Sequence, residues 1–181
     1  MRIRDVTGAK DGPDWLLYTN CPVFTAEHAR AIVESYEARW RVEEFHRTWK
    51  QGHCNVEDAQ LHTEGAIVTW ATMLAAVAMR IERLKYFARK KPDLPATVEL
   101  SDEEIEALKL DQGRRTTKRK RLPQQPAIGL ATEWVAELGG WMGKRNGPPG
   151  SITLARGLER LGYLVEGIAL ARSAGFSRAR T

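Results

Sequence analysis

Four residues within one short stretch could do chemistry on phosphate: Tyr36, Arg39, Glu43 and Lys50, set in Ser-Tyr-Glu-Ala-Arg-Trp-Arg-Val-Glu-Glu-Phe-His-Arg-Thr-Trp-Lys over residues 35–50. On a helix advancing about 100° per residue they share one arc of roughly 60°, with Trp40 and Arg47 at its edge. A carboxylate can hold a divalent cation, and guanidinium and ammonium groups bind phosphate oxygens. Trp40 and Trp49 add aromatic surface nearby. Spacing alone also fits a solvated face on which Arg39 and Glu43 pair at i,i+4, and charged helix faces of that kind are common. Glu44 points about 100° away from Glu43, so it is assigned no metal.

These residues need elements to position them. Ala31, Ala38, Val42, Phe45 and Trp49 form an apolar stripe on another side of the same helix. Thr25 is a natural N-cap and Gly52 a stop, which predicts a helix to about Lys50. Upstream, Trp15 to Asn20 reads as a short strand bounded by Pro13 and Pro22, and residues 1–13 as a loose leader. The helix is expected to pack on that strand through Val42, Phe45 and Trp49, leaving Glu43 accessible. After a connector, His53 to His62, comes a second helix from about Thr63 to Lys90. Its first half, Ala66 to Met79, is almost wholly apolar and is expected to be buried on most sides; its second half is basic, with Arg80, Arg83, Lys85, Arg89, Lys90 and Lys91 at or just beyond its end.

Lys91-Pro92-Asp93-Leu94-Pro95 breaks that helix. Ser101-Asp102-Glu103-Glu104 is a capping box opening a short acidic helix to about Leu110. The run from Gln112 to Arg121 holds six cations, Arg114, Arg115, Lys118, Arg119, Lys120 and Arg121, and no acid. It reads as a loop, equally a solvated linker or a DNA-phosphate contact. Two more helices, Ala127 to Leu138 and Ser151 to Ala174, are separated by glycines and prolines.

The chain has 181 residues, 43% of them hydrophobic, enough for a packed globule. A net charge of +5 allows a nucleic-acid partner without establishing one. Cys21 and Cys54 give no disulfide framework, and with His46, His53 and His62 they show no zinc spacing. The charged start Met1-Arg2-Ile3-Arg4-Asp5 is unlike a signal peptide. The apolar segment 66–79 is short for a bilayer and suits a core helix, so no membrane association is expected.

Tyr36-x2-Arg39-x3-Glu43-x6-Lys50 and its intervening residues resemble the Tyr-Arg-Glu-Lys signature of the insertion-sequence-four family of bacterial DDE transposases. Asp14-Trp15-Leu16-Leu17-Tyr18-Thr19-Asn20 resembles that family's last core strand. Leu138-Gly139-Gly140-Trp141-Met142 and Pro149 through Leu161 resemble its C-terminal helices. The two aspartates of the family's site lie on strands farther upstream, and Asp5, Asp11 and Asp14 match neither.

The resemblance implies a mainly α chain with one short strand: the C-terminal end of an RNase H-like α/β core, then a helical C-terminal domain. The implied division is 1–90 for the end of the core, 91–126 for a linker, and 127–181 for a helical dimerisation region. Glu43 would be the third catalytic carboxylate and a ligand of Mg²⁺ or Mn²⁺. Tyr36, Arg39 and Lys50 would bind DNA phosphates, and Trp15 and Trp40 would stack on a displaced base. The implied partners are transposon-end DNA and either a homodimer or a heterodimer with full-length transposase, in the bacterial cytoplasm at the nucleoid. The implied function is the C-terminal part of a cut-and-paste DNA transposase, inactive without the two aspartates. The alternative is a non-catalytic remnant that binds DNA or full-length transposase and inhibits it.

Overall fold

Thr25 accepts the backbone N–H of His28 on its side chain and so caps the helix that carries the signature. That helix, α1 (Ala26–Lys50), runs unbroken as its spacing predicts. The computed structural model describes residues 2–4, 14–115 and 122–175, in two compact units, Met1–Glu44 and Phe45–Thr181.

In the first unit, strands β1 (Arg2–Arg4) and β2 (Asp14–Leu16) pair antiparallel, with Ile3 opposite Trp15. The leader thus contributes a strand, and β2 stops at Leu16, short of Asn20. Asn20-Cys21-Pro22 leaves little backbone for a ladder, because proline cannot donate to it. The packing expected through Val42 does not form, since that side chain is 53% exposed.

Among the described residues the second unit contains the last turns of α1 and four further α-helices: α2 (Glu64–Lys90), α3 (Asp102–Arg115), α4 (Ile128–Leu138) and α5 (Ser151–Ser173). Thr63 caps α2 by accepting from the N–H of Ala66. The box on α3 closes both ways, the N–H of Ser101 donating to Glu104 Oε2 and the N–H of Glu104 to Ser101 Oγ. That helix runs on to Arg115, so Gln112 to Arg115 are helical rather than loop. Gln112 is drawn in by donating to Glu137 on α4, and Arg115 pairs with Asp111 one turn back. Lys118, Arg119, Lys120 and Arg121 lie outside the described residues.

The core collects Ile81 and Leu84 from α2, Ile105 and Leu108 from α3, Ile128, Trp134 and Val135 from α4, and Leu154 and Leu161 from α5. Only the second half of α2 enters it. Ile67, Val68, Trp70, Met73, Val77 and Met79 are 41–59% exposed, so the apolar half is not buried as its composition suggests. The reason is geometric. The neighbours in the same unit, Trp49 and Cys54 among them, meet one side of that half and leave the residues on its other sides exposed. By its length and the mean hydropathy of 1.3 over its most apolar 18 residues, α2 is long and apolar enough to cross a membrane, while its charged second half is built into the core.

Candidate phosphate-binding helix

Tyr36, Arg39 and Glu43 are positioned by the part of α1 that lies in the first unit, so their mutual placement follows from helical geometry alone. Arg39 Nη1 donates to Glu43 Oε1 at 2.8 Å, one turn on. The Arg39 guanidinium also lies over the Tyr36 ring, 5.5 Å from its centroid. The hydrogen bond to Glu43 and its negative charge hold the Arg39 pKa above its ordinary value, so this cation stays charged at any working pH. The Glu43 side chain is 41% exposed. It is accessible, and it is the partner of a guanidinium rather than a free ligand. Trp40 is 54% exposed, on the surface where an aromatic stacking residue has to be.

Lys50 sits in the last turn of α1, in the second unit, and pairs with Glu57 at 3.0 Å with both side chains about half exposed. Its neighbours face inward. Phe45 and Trp49 stack with centroids 6.0 Å apart, and Trp49 Nε1 donates to the carbonyl of Ala71. Trp15 holds its place in the β ladder, but its side chain lies outside what the structure describes.

Half of the basic residues at the end of α2 are committed. Arg80 pairs with Glu104 at 2.6 Å and Arg83 with Glu99 at 2.7 Å, while Lys85 is buried against Glu82. Arg89, Lys90 and Lys91 remain exposed with no ion pair among the described residues. Arg114 and Arg115 lie on the exposed end of α3.

Residues 21–80 match the family described as the transposase DDE domain. The matched stretch contains Tyr36, Arg39, Trp40, Glu43 and Lys50, so the residues with phosphate chemistry lie inside it. The match supports a DDE transposase, a class of protein that acts in DNA transposition and normally uses divalent metal ions.

A divalent metal pair does not fit the described residues by themselves. No group of three or more His, Cys, Asp or Glu comes together among them, and Glu43 is one carboxylate already shared with Arg39. Two cations about 3.5–4 Å apart require several bridging oxygens.

Two groups escaped the sequence. Glu57, the counter-ion of Lys50, comes from a 3-10 turn that no periodicity announces. The cluster of Thr48, Glu82, Lys85 and Ser151 is assembled from three helices; its single local sign was a Glu82–Lys85 pair three residues apart inside a core-facing half-helix.

Proposed function

We propose that this chain is the C-terminal part of a cut-and-paste DNA transposase of the insertion-sequence-four type, supplying Glu43 to a site whose two aspartates are not among these 181 residues. The observation that carries the reading is the surface of α1. Tyr36, Arg39, Glu43 and Lys50 are exposed or half-exposed on one helix inside the stretch that matches the transposase DDE domain. Tyr36, Arg39 and Lys50 bind backbone phosphates and position the strand without reading its sequence. Trp40 receives a displaced base, with Trp15 as its companion. Glu43 is released from Arg39 when a phosphate takes the guanidinium, since such exposed pairs exchange readily.

The alternative, a non-catalytic remnant that binds DNA or full-length transposase and inhibits it, is favoured by one observation: among the described residues Glu43 belongs to no group of three or more His, Cys, Asp or Glu that could hold a metal ion. The two readings share the DNA-binding face and separate on chemistry. Purified chain with Mg²⁺ or Mn²⁺ should leave transposon-end DNA intact under either reading. Added polypeptide bearing the two aspartates restores cleavage under the first and not under the second. Metal-dependent nicking by the chain alone, lost in Glu43→Ala, would refute both.

Binding is tested by its salt dependence. If about four to six phosphates are neutralised, log K against log salt should have a slope of about −4 to −5. Replacing Arg39 and Lys50 together with alanine should flatten it by nearly two units. A slope unmoved by that pair, yet lost when Arg114, Arg115, Lys118, Arg119, Lys120 and Arg121 are neutralised, would place the DNA on the 114–121 run instead of the signature helix.

A further inference from the structure

Thr48 is buried, 5% exposed, in the last turns of α1, and its hydroxyl bonds outside its own helix. Ser35, Thr72 and Thr132, also inside helices, each donate to the carbonyl four residues back, the local default for such hydroxyls. Thr48 instead donates across the fold to Glu82 Oε1 on α2 at 2.6 Å. Glu82 is itself held firmly. It pairs with Lys85 at 2.6 Å and accepts from Ser151 Oγ, at the start of α5, at 2.9 Å, while Lys85 donates to Ser151 at 3.2 Å. The acceptor that Thr48 reaches therefore cannot follow α1 if α1 moves. A hydrogen bond to a charged, mostly buried oxygen is among the strong ones.

Lys50 stands two residues farther on, its ammonium at the surface beside Glu57. We propose that Thr48 is a positioning residue for Lys50: anchored on Glu82, it fixes the last turn of α1 so that the Lys50 ammonium is already presented where a backbone phosphate is taken. The inference rests on the DNA-binding role of Lys50 proposed above. Without the anchor, the turn must be ordered at the moment of binding, which lowers affinity without changing the number of phosphates contacted.

The test compares Thr48→Val, which keeps the volume and removes the hydroxyl, with Thr48→Ser, which keeps the hydroxyl. In Thr48→Val, amide hydrogen exchange over residues 45–50 should quicken about tenfold while α4 keeps its protection. Affinity for duplex DNA should fall several-fold with the salt slope unchanged, and Thr48→Ser should restore both. Lys50→Ala in the same assay should flatten the slope by about one. Exchange in Thr48→Val within twofold of the unaltered chain would overturn the proposal, as would loss of protection in α4 as well, or unaltered DNA affinity. A slope unmoved by Lys50→Ala would end the DNA role of Lys50 and the positioning role with it. That failure is recognisable because the exchange difference at 45–50 persists.

Discussion

Gly157→Ala should destabilise the helical bundle by about 3 kcal/mol or more, a large part of the 5–15 kcal/mol typical of a domain. Gly157 is buried in α5, and a methyl group there would overlap the carbonyl oxygen of Val135 on α4. The obstacle is backbone, so no rotamer change relieves it and the two helices must separate. Gly139, just past α4, is placed the same way against the Thr153 carbonyl, so the two helices meet backbone to backbone at two points. Separation would strip contacts from Val135, Leu154 and Leu161, all fully buried. Gly162→Ala, farther along α5 with open space at its Cβ, is the control and should be neutral or slightly stabilising. Urea unfolding followed by helix circular dichroism measures both, and a Gly157→Ala loss below 1 kcal/mol would show that the close crossing does not hold the bundle.

Glu82→Ala should cost about 3–5 kcal/mol at neutral pH, because it leaves the buried Lys85 ammonium without its carboxylate and the Thr48 and Ser151 hydroxyls without their acceptor. Burial by itself pushes the Glu82 carboxyl up, but hydrogen bonds from Lys85, Thr48 and Ser151 and the charge of Lys85 outweigh it and hold the pKa below the ordinary 4.5. A carboxyl depressed in the folded state contributes stability that is present above its unfolded value and is lost as pH falls through its folded value. The gap between the unaltered chain and Glu82→Ala should therefore be full at pH 7 and should shrink below the ordinary carboxylate range. Replacing both Glu82 and Lys85 with methionine should recover most of the loss, since no unpaired charge remains. A gap that does not change with pH would assign the effect to lost packing instead of lost charge.

The bounds of the helices were legible in the sequence because they rest on local chemistry. Thr25, Thr63 and the Ser101–Glu104 box cap the turns beside them, and Pro92 and Gly139 stop what precedes them. Tyr36, Arg39 and Glu43 were legible as neighbours for the same reason, one helix being enough to bring them together. Where α3 ends is not legible locally, because Gln112 is held in the helix by Glu137, twenty-five residues away. The length of β2 and its partner are not legible locally either, because pairing with Arg2–Arg4 depends on where the chain returns.

Burial was decided by tertiary structure alone. Composition makes Ala66 to Met79 a core segment, yet the core forms around the charged half of α2, because that is where α3, α4 and α5 converge. The same convergence places Lys85 and Glu82 inside and leaves Trp70 and Met73 outside. It also gives Thr48 a partner on α2 in place of the carbonyl one turn back. The sequence by itself determined which helices form, where they begin, and that a phenol, a guanidinium and a carboxylate share one face, since all of these act within a turn or two of chain. Which face is covered, which charges are neutralised and which hydroxyl becomes an anchor depend on residues brought together from distant parts of the chain, and only the packed structure decides them.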